Sequence, residues 1–133
     1  MTRVNVVPVE ELSNQWLIAE YRELPRVIKQ DISIEGAPDR YCLGKGHVKW
    51  AKKHACWTIG RYFQICIEMR YRGFTVSHPA WRLYNEWDGE GKGYAYALSK
   101  RDIAINRQRL IEKYRLKPNY YKWTNRTKPE WLN

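Results

Sequence analysis

Apolar residues recur at helical spacing in three stretches, and these set the expected architecture. Leu17, Tyr21, Leu24 and Ile28 form the first stripe, on a helix expected to begin near Glu10, where acidic side chains suit the positive end of the helix dipole. Residues 3–9 ahead of it are extended and β-branched, and Pro8 prevents an earlier start. Projection at about 100° per residue places Trp16, Ala19, Arg22, Glu23 and Arg26 on the side opposite the stripe. Pro25 lies inside the pattern, removes the amide bond to Tyr21, and is expected to bend the helix so that this polar side becomes concave.

The second helix is expected from about Ala51 to Arg72. Tyr62, Ile65, Cys66 and Met69 make its stripe, Ile59, Phe63 and Ile67 widen it, and Arg72-Gly73 ends it. Such breadth suits the central helix of a bundle. The third starts at Ser99, with Asp102 three residues on as a capping-box-like signal. It turns Ile103, Leu110, Ile111 and Tyr114 inward and Arg101, Arg107, Arg109, Lys113 and Arg115 outward, and stops before Pro118. Residues 31–50 and 74–97 read as irregular connections; long ones in a small domain tend to be functional. No repeat or linker divides the chain. The expected fold is all-α: a single compact domain over residues 1–133, with about three main helices and long irregular loops.

Charge sharpens this picture. Lys and Arg number 24 against 14 Asp and Glu, a formal net charge of +10, which fits a polyanionic partner, nucleic acid or an anionic membrane surface. Seven Trp and ten Tyr favour nucleic acid, because flat rings beside cations serve base stacking and phosphate contact together. The tail Tyr120-Tyr121-Lys122-Trp123 interleaves the two in this way. A solvated basic surface around an aromatic core is the plainer alternative.

The first twenty residues lack the apolar run of a secretion signal, and nothing approaches the length of a membrane span. Cys42, Cys56 and Cys66 are odd in number and form no CxxC pair, which fits reduced thiols and a cytoplasmic protein. His47, His54 and Cys56 have poor zinc spacing, so no metal site is expected. Gly44-Lys45-Gly46 could cradle a phosphate with backbone amides but lacks P-loop spacing; a plain turn is the other reading.

The front of the chain carries the candidate chemistry. Thr2 is small, so removal of Met1 would expose its α-amine, whose ordinary pKa of about 7.7–8.0 leaves a useful unprotonated fraction at neutral pH. Such an amine attacks a carbon at the aldehyde oxidation level, such as C1′ of a deoxyribose. Expulsion of the base then leaves an imine, which acidifies the neighbouring proton and permits β-elimination of phosphate. A carboxylate must steady the cationic intermediate and move protons, and Glu23 would serve. Arg22 and Arg26 would hold flanking phosphates and keep the amine's pKa low. The competing reading is an ordinary Glu23–Arg26 pair on a helix surface.

Met1-Thr2-Arg3-Val4-Asn5 followed by Ala19-Glu20-Tyr21-Arg22-Glu23-Leu24-Pro25-Arg26-Val27 resembles the pyrimidine dimer DNA glycosylases of the phage and chlorella-virus endonuclease V type. The similarity continues through Leu43-Gly44-Lys45-Gly46-His47-Val48, Arg72-Gly73-Phe74, Gln108-Arg109-Leu110 with Glu112-Lys113, and Tyr121-Lys122, and is weakest over residues 31–41 and 77–97. The resemblance implies a glycosylase coupled to an abasic-site lyase, acting at cyclobutane pyrimidine dimers in duplex DNA as a monomer without metal or organic cofactor. Thr2 would then be the imine-forming nucleophile and Glu23 the catalytic carboxylate. Arg3, Arg22 and Arg26 would grip DNA around the dimer, with Arg109, Lys113, Tyr121 and Lys122 adding contacts. The family kinks its DNA and extrudes a nucleotide opposite the lesion, a distortion that the dimer's weakened stacking makes easier. Trp16 stands where the phage enzyme has histidine. It is expected either to stack on a base or sugar near the lesion, the favoured reading, or to pack beside the pocket. Two alternatives remain: the same imine chemistry on another damaged or modified base, and a non-catalytic nucleic-acid-binding protein.

Overall fold

Ser13 starts the first helix. Its backbone is extended and its hydroxyl accepts from the Trp16 amide at 3.1 Å, so the helix (α1) runs Asn14–Lys29 and continues through Pro25. The acidic pair expected to open it, Glu10 and Glu11, instead lies in a separate 3-10 turn, Val9–Glu11. The computed structural model describes residues 4–133, and among them every regular element is helical. After α1 come α2 (His47–Lys53), α3 (Ala55–Tyr71), α4 (Ala80–Glu86), α5 (Lys100–Leu116) and a closing 3-10 turn, Glu130–Leu132. The three expected helices are the long ones, α1, α3 and α5. Two short ones were unforeseen, α2 straddling a predicted loop and a predicted helix and α4 lying inside the loop 74–97.

The break between α2 and α3 falls at His54, whose backbone (φ −96°, ψ 47°) is not helical. Thr58 secures it by donating its hydroxyl to the carbonyls of Ala51 and His54. Gly44 and Gly46 both hold positive φ, and Gly46 caps α2. A Cβ on Gly46 would lie 2.9 Å from the Pro38 ring, so Gly44-Lys45-Gly46 is a tight turn that delivers His47 into the interior.

Helix α3 packs against α1, α2, α4 and the first 3-10 turn. Ile59, Tyr62, Ile65, Cys66 and Met69 are buried as expected, but Phe63 and Ile67 are 43% and 65% exposed. A second buried side of α3 is charged instead, carrying Arg61, Glu68 and Arg72. Arg72 donates to Glu68, to the carbonyls of Val9 and Glu10, and to the Asn14 side chain, while Arg126 of the tail forks onto the same carboxylate with two bonds of 2.9 Å. The tail and the first turn are thereby fastened to one helix.

Helix α5 begins at the predicted cap: Ser99 and Asp102 form a reciprocal capping box. Its fully buried residues are Asp102, Asn106 and Leu110, one every fourth position, whereas Ile103, Ile111 and Tyr114 are only half-buried.

Candidate active site

The segment formed by residues 4–7 runs through the interior. Val4, Asn5, Val6 and Val7 are at most 5% exposed, yet no described strand pairs with them. Buried backbone groups without a sheet must find partners elsewhere, and side chains from distant elements supply them. His47 Nε2 accepts from the Val4 amide at 3.0 Å, and the Tyr41 phenol donates to the Val4 carbonyl at 2.9 Å. Asn106 Oδ1 accepts from the amides of Val6 and Val7 at 2.7 and 3.0 Å. Arg61 Nη1 donates to the Val7 carbonyl at 2.7 Å.

A buried polar network joins these contacts to α1. The Glu20 carboxylate accepts from Asn5 Nδ2 at 3.0 Å and from two nitrogens of Arg61. Asn5 in turn accepts from Asn106 Nδ2 at 2.8 Å. Glu20 and Arg61 side chains are 1% and 3% exposed, a burial that two opposite charges tolerate only when their remaining donors and acceptors are occupied, as here.

Glu23 follows three residues after Glu20, about 4.5 Å further along the axis. Its side chain is 23% exposed, and its carboxylate lies 3.2 Å from Arg26 Nη1, whose side chain is 76% exposed. Arg22 is exposed, and Lys29 continues the line of cations to Glu86 of α4 at 3.5 Å. A carboxylate within reach of water and bordered by open guanidiniums can take and return protons beside a bound phosphate chain.

About two turns before Glu23, Trp16 is 7% exposed, with its ring 4.5 Å from Tyr121 and 6.3 Å from Trp123. The favoured expectation for Trp16 is therefore corrected: its face is covered by the tail, and it packs as an interior aromatic rather than presenting a ring to a base. The backbone of Lys122 completes the seam by bonding to Asn14 and Gln15, leaving its side chain exposed. Arg109 and Lys113 lie on α5. Arg109 is 3.6 Å from Glu112, and burial, followed by the nearby Arg109 charge, pushes the Lys113 ammonium below its ordinary value. Thr2 and Arg3 lie outside the described residues.

Tyr41, Glu20, Arg61 and Asn106 were missed as site residues. Asn106 carried a faint signal, since asparagine in mid-helix is a poor helix former that usually has a polar appointment. Among the described residues no group of three or more His, Cys, Asp or Glu could hold a metal ion. No helix of the described residues is long and apolar enough to cross a membrane. A cavity of about 760 Å³, lined by Val9, Trp57, Gln64, Ile67, Tyr71 and Arg126 among others, has neither Glu23 nor Arg26 in its wall.

A family model described as pyrimidine dimer DNA glycosylase matches residues 1–82. The matched stretch contains the buried segment, the Glu20–Glu23 turn, Tyr41, His47 and Arg61, and it ends inside α4.

Proposed function

The chain belongs to the pyrimidine dimer DNA glycosylase family, and on that premise we propose that it excises UV-induced cyclobutane pyrimidine dimers and then cuts the strand as an AP lyase, using the α-amine of Thr2. In this reading residues 1–133 are one glycosylase domain, acting as a monomer in the cytoplasm on damaged duplex DNA.

The unprotonated amine attacks C1′ of the damaged nucleotide. An N–C1′ bond forms and the C1′–base bond breaks, its electron pair leaving with the base, which stays tethered to its dimer partner through the cyclobutane ring. Loss of the amine proton and opening of the sugar give an imine. The imine acidifies the C2′ proton; its removal expels the 3′ phosphate by β-elimination, and water finally frees the amine. Glu23 is the carboxylate that steadies the iminium charge and shuttles the protons. Arg3, Arg22 and Arg26 hold phosphates beside the lesion, and Arg109, Lys113, Tyr121 and Lys122 extend the contact.

One observation carries the chemistry: both backbone groups of Val4 are held by interior side chains, two residues from Thr2. The reading that assigns another lesion class took its motive from Trp16, which is packed under the tail and supplies none.

Borohydride reduction during incubation with UV-irradiated duplex DNA tests the proposal. The expected result is a covalent adduct mapped by mass spectrometry to the Thr2 amine, with strand cleavage at dimers. A residue added ahead of Thr2, or Glu23→Gln, should abolish cleavage while leaving salt-sensitive binding largely intact. Cleavage surviving both changes sinks the assigned roles. Trapping only on other lesions redirects the substrate, and binding without trapping leaves a DNA-binding protein.

A further inference from the structure

Two residues upstream of Val4, the Cα of Thr2 can be no more than about 7–8 Å from the Val4 Cα, because successive Cα atoms are about 3.8 Å apart, and the proposed nucleophile is one bond of about 1.5 Å beyond it. Whatever fixes the Val4 peptide groups therefore limits the volume that the amine explores. We propose that Tyr41 and His47 act together as positioning residues that clamp the peptide groups of Val4 and so aim the Thr2 amine, a role that rests on the function proposed above.

The hydrogen-bond chemistry defines the clamp. His47 Nδ1 lies 2.7 Å from the Cys42 carbonyl, an oxygen that can only accept, so this nitrogen carries the proton. Nε2 lies 3.0 Å from the Val4 amide, which can only donate, so this nitrogen is bare. The two partners together select one neutral tautomer. Tyr41 grips the other side of the same residue: its hydroxyl donates to the Val4 carbonyl at 2.9 Å. Its orientation is set in turn, since its own amide donates to the Tyr96 hydroxyl at 2.9 Å and its ring meets Trp50 edge-on at a centroid distance of 5.0 Å. Tyr41 and His47 also touch, their rings 5.7 Å apart in an edge arrangement. Both are almost fully buried, at 0% and 2% exposure, so water does not compete for either bond.

This pair is separable from the rest of the segment's supports. Asn106 holds Val6 and Val7, and Arg61 holds the Val7 carbonyl; the hydrogen bonds described for Val4 are those of His47 and Tyr41. The Asn106 and Arg61 bonds keep the segment inside the protein, while Tyr41 and His47 set its last described residue. Misplacing a reacting atom by about 1 Å is enough to slow a reaction by about 100-fold. A clamp this close to the nucleophile is therefore expected to govern the chemical step and leave DNA affinity alone.

The experiment compares Tyr41→Phe, His47→Gln and His47→Leu with the wild-type chain. Each is checked for folding by circular dichroism and thermal melting, then assayed for DNA affinity and for the single-turnover rate of borohydride-trapped adduct. Glutamine can still accept from the Val4 amide, whereas leucine cannot. The expected result is trapping slowed by about 10- to 100-fold in Tyr41→Phe and His47→Leu, partial recovery in His47→Gln, and affinity changed by less than about twofold. Wild-type trapping rates in folded variants overturn the clamp, and so does a loss of rate that merely follows a loss of affinity. A second readout needs no lyase activity: the rate of reductive methylation of the terminal amine, followed by mass spectrometry. The clamp predicts that Tyr41→Phe and His47→Leu approach the rate of a free peptide with the same first residues, while the wild type differs from it. If wild-type protein forms no adduct with UV-irradiated DNA, the function is wrong and this second readout still decides the clamp. Equal methylation rates in wild type, variants and peptide overturn it.

Discussion

Glu20 faces inward and Glu23 outward, although both are carboxylates in one helical turn. Glu20 is 2% exposed and shares its oxygens between Asn5 and Arg61; Glu23 remains open enough to meet Arg26 at the surface. Local sequence distinguishes them poorly, since the partner that draws Glu20 inward lies 41 residues away in α3. Removing that partner exposes the difference. Arg61→Ala should destabilise the fold by about 3–5 kcal/mol in urea denaturation, because the Glu20 charge would stay buried without its counter-ion; a loss under about 1 kcal/mol would show that water or a rearrangement satisfies Glu20. Trp16 gives the same lesson about legibility. Helical projection put it on the polar side of α1, whereas it belongs with Leu17, Glu20, Leu24, Val27 and Ile28 to the helix's buried residues. What covers it is Tyr121, more than a hundred residues away, and no periodicity within α1 carries that information.

At the level of elements, the three long helices were readable because each announces itself locally: a stripe, a cap, or a glycine or proline stop. The short α2 and α4 were not, since seven residues hold too few periods to register as a pattern. The sequence pattern misjudged α5 most usefully. Its buried line is Asp102, Asn106 and Leu110, so two of the three positions facing inward are polar, and a search for apolar recurrence passes over them. Asn106→Leu separates helix formation from tertiary structure. Leucine is the better helix former, yet the variant strands the amides of Val6 and Val7 and the Asn5 side-chain oxygen. Its expected cost is about 2 kcal/mol or more in urea, with helical content by circular dichroism unchanged in the folded state. A variant as stable as wild type would mean that α5 does not hold the segment.

Across the whole molecule, the carboxylates of Glu68 and Asp102 bind distant parts together. Burial pushes both carboxyls up, but the Arg126 and Arg72 hydrogen bonds at Glu68, and those of Tyr96 and Ser99 at Asp102, outweigh it and hold both below their ordinary values. A carboxyl held low in the folded state adds stability that is complete above its unfolded pKa, about 4.3 for Glu and 3.9 for Asp, and is lost as pH falls through the lower folded value. Urea midpoints should therefore vary little through these groups from about pH 8 to pH 5 and drop below about pH 4.5. Glu68→Gln should be less stable at neutral pH and show a shallower acid decline. An equally steep decline in the variant would assign the acid sensitivity elsewhere.

The side chain that holds Val6 comes from a residue 100 positions further along the chain. At a synthesis rate of about 5–20 residues per second, about 5–20 s separate the appearance of the two on a ribosome. During that interval the amides of Val6 and Val7 have no Asn106 to bond, so the buried segment gains these two hydrogen bonds only once α5 has been made.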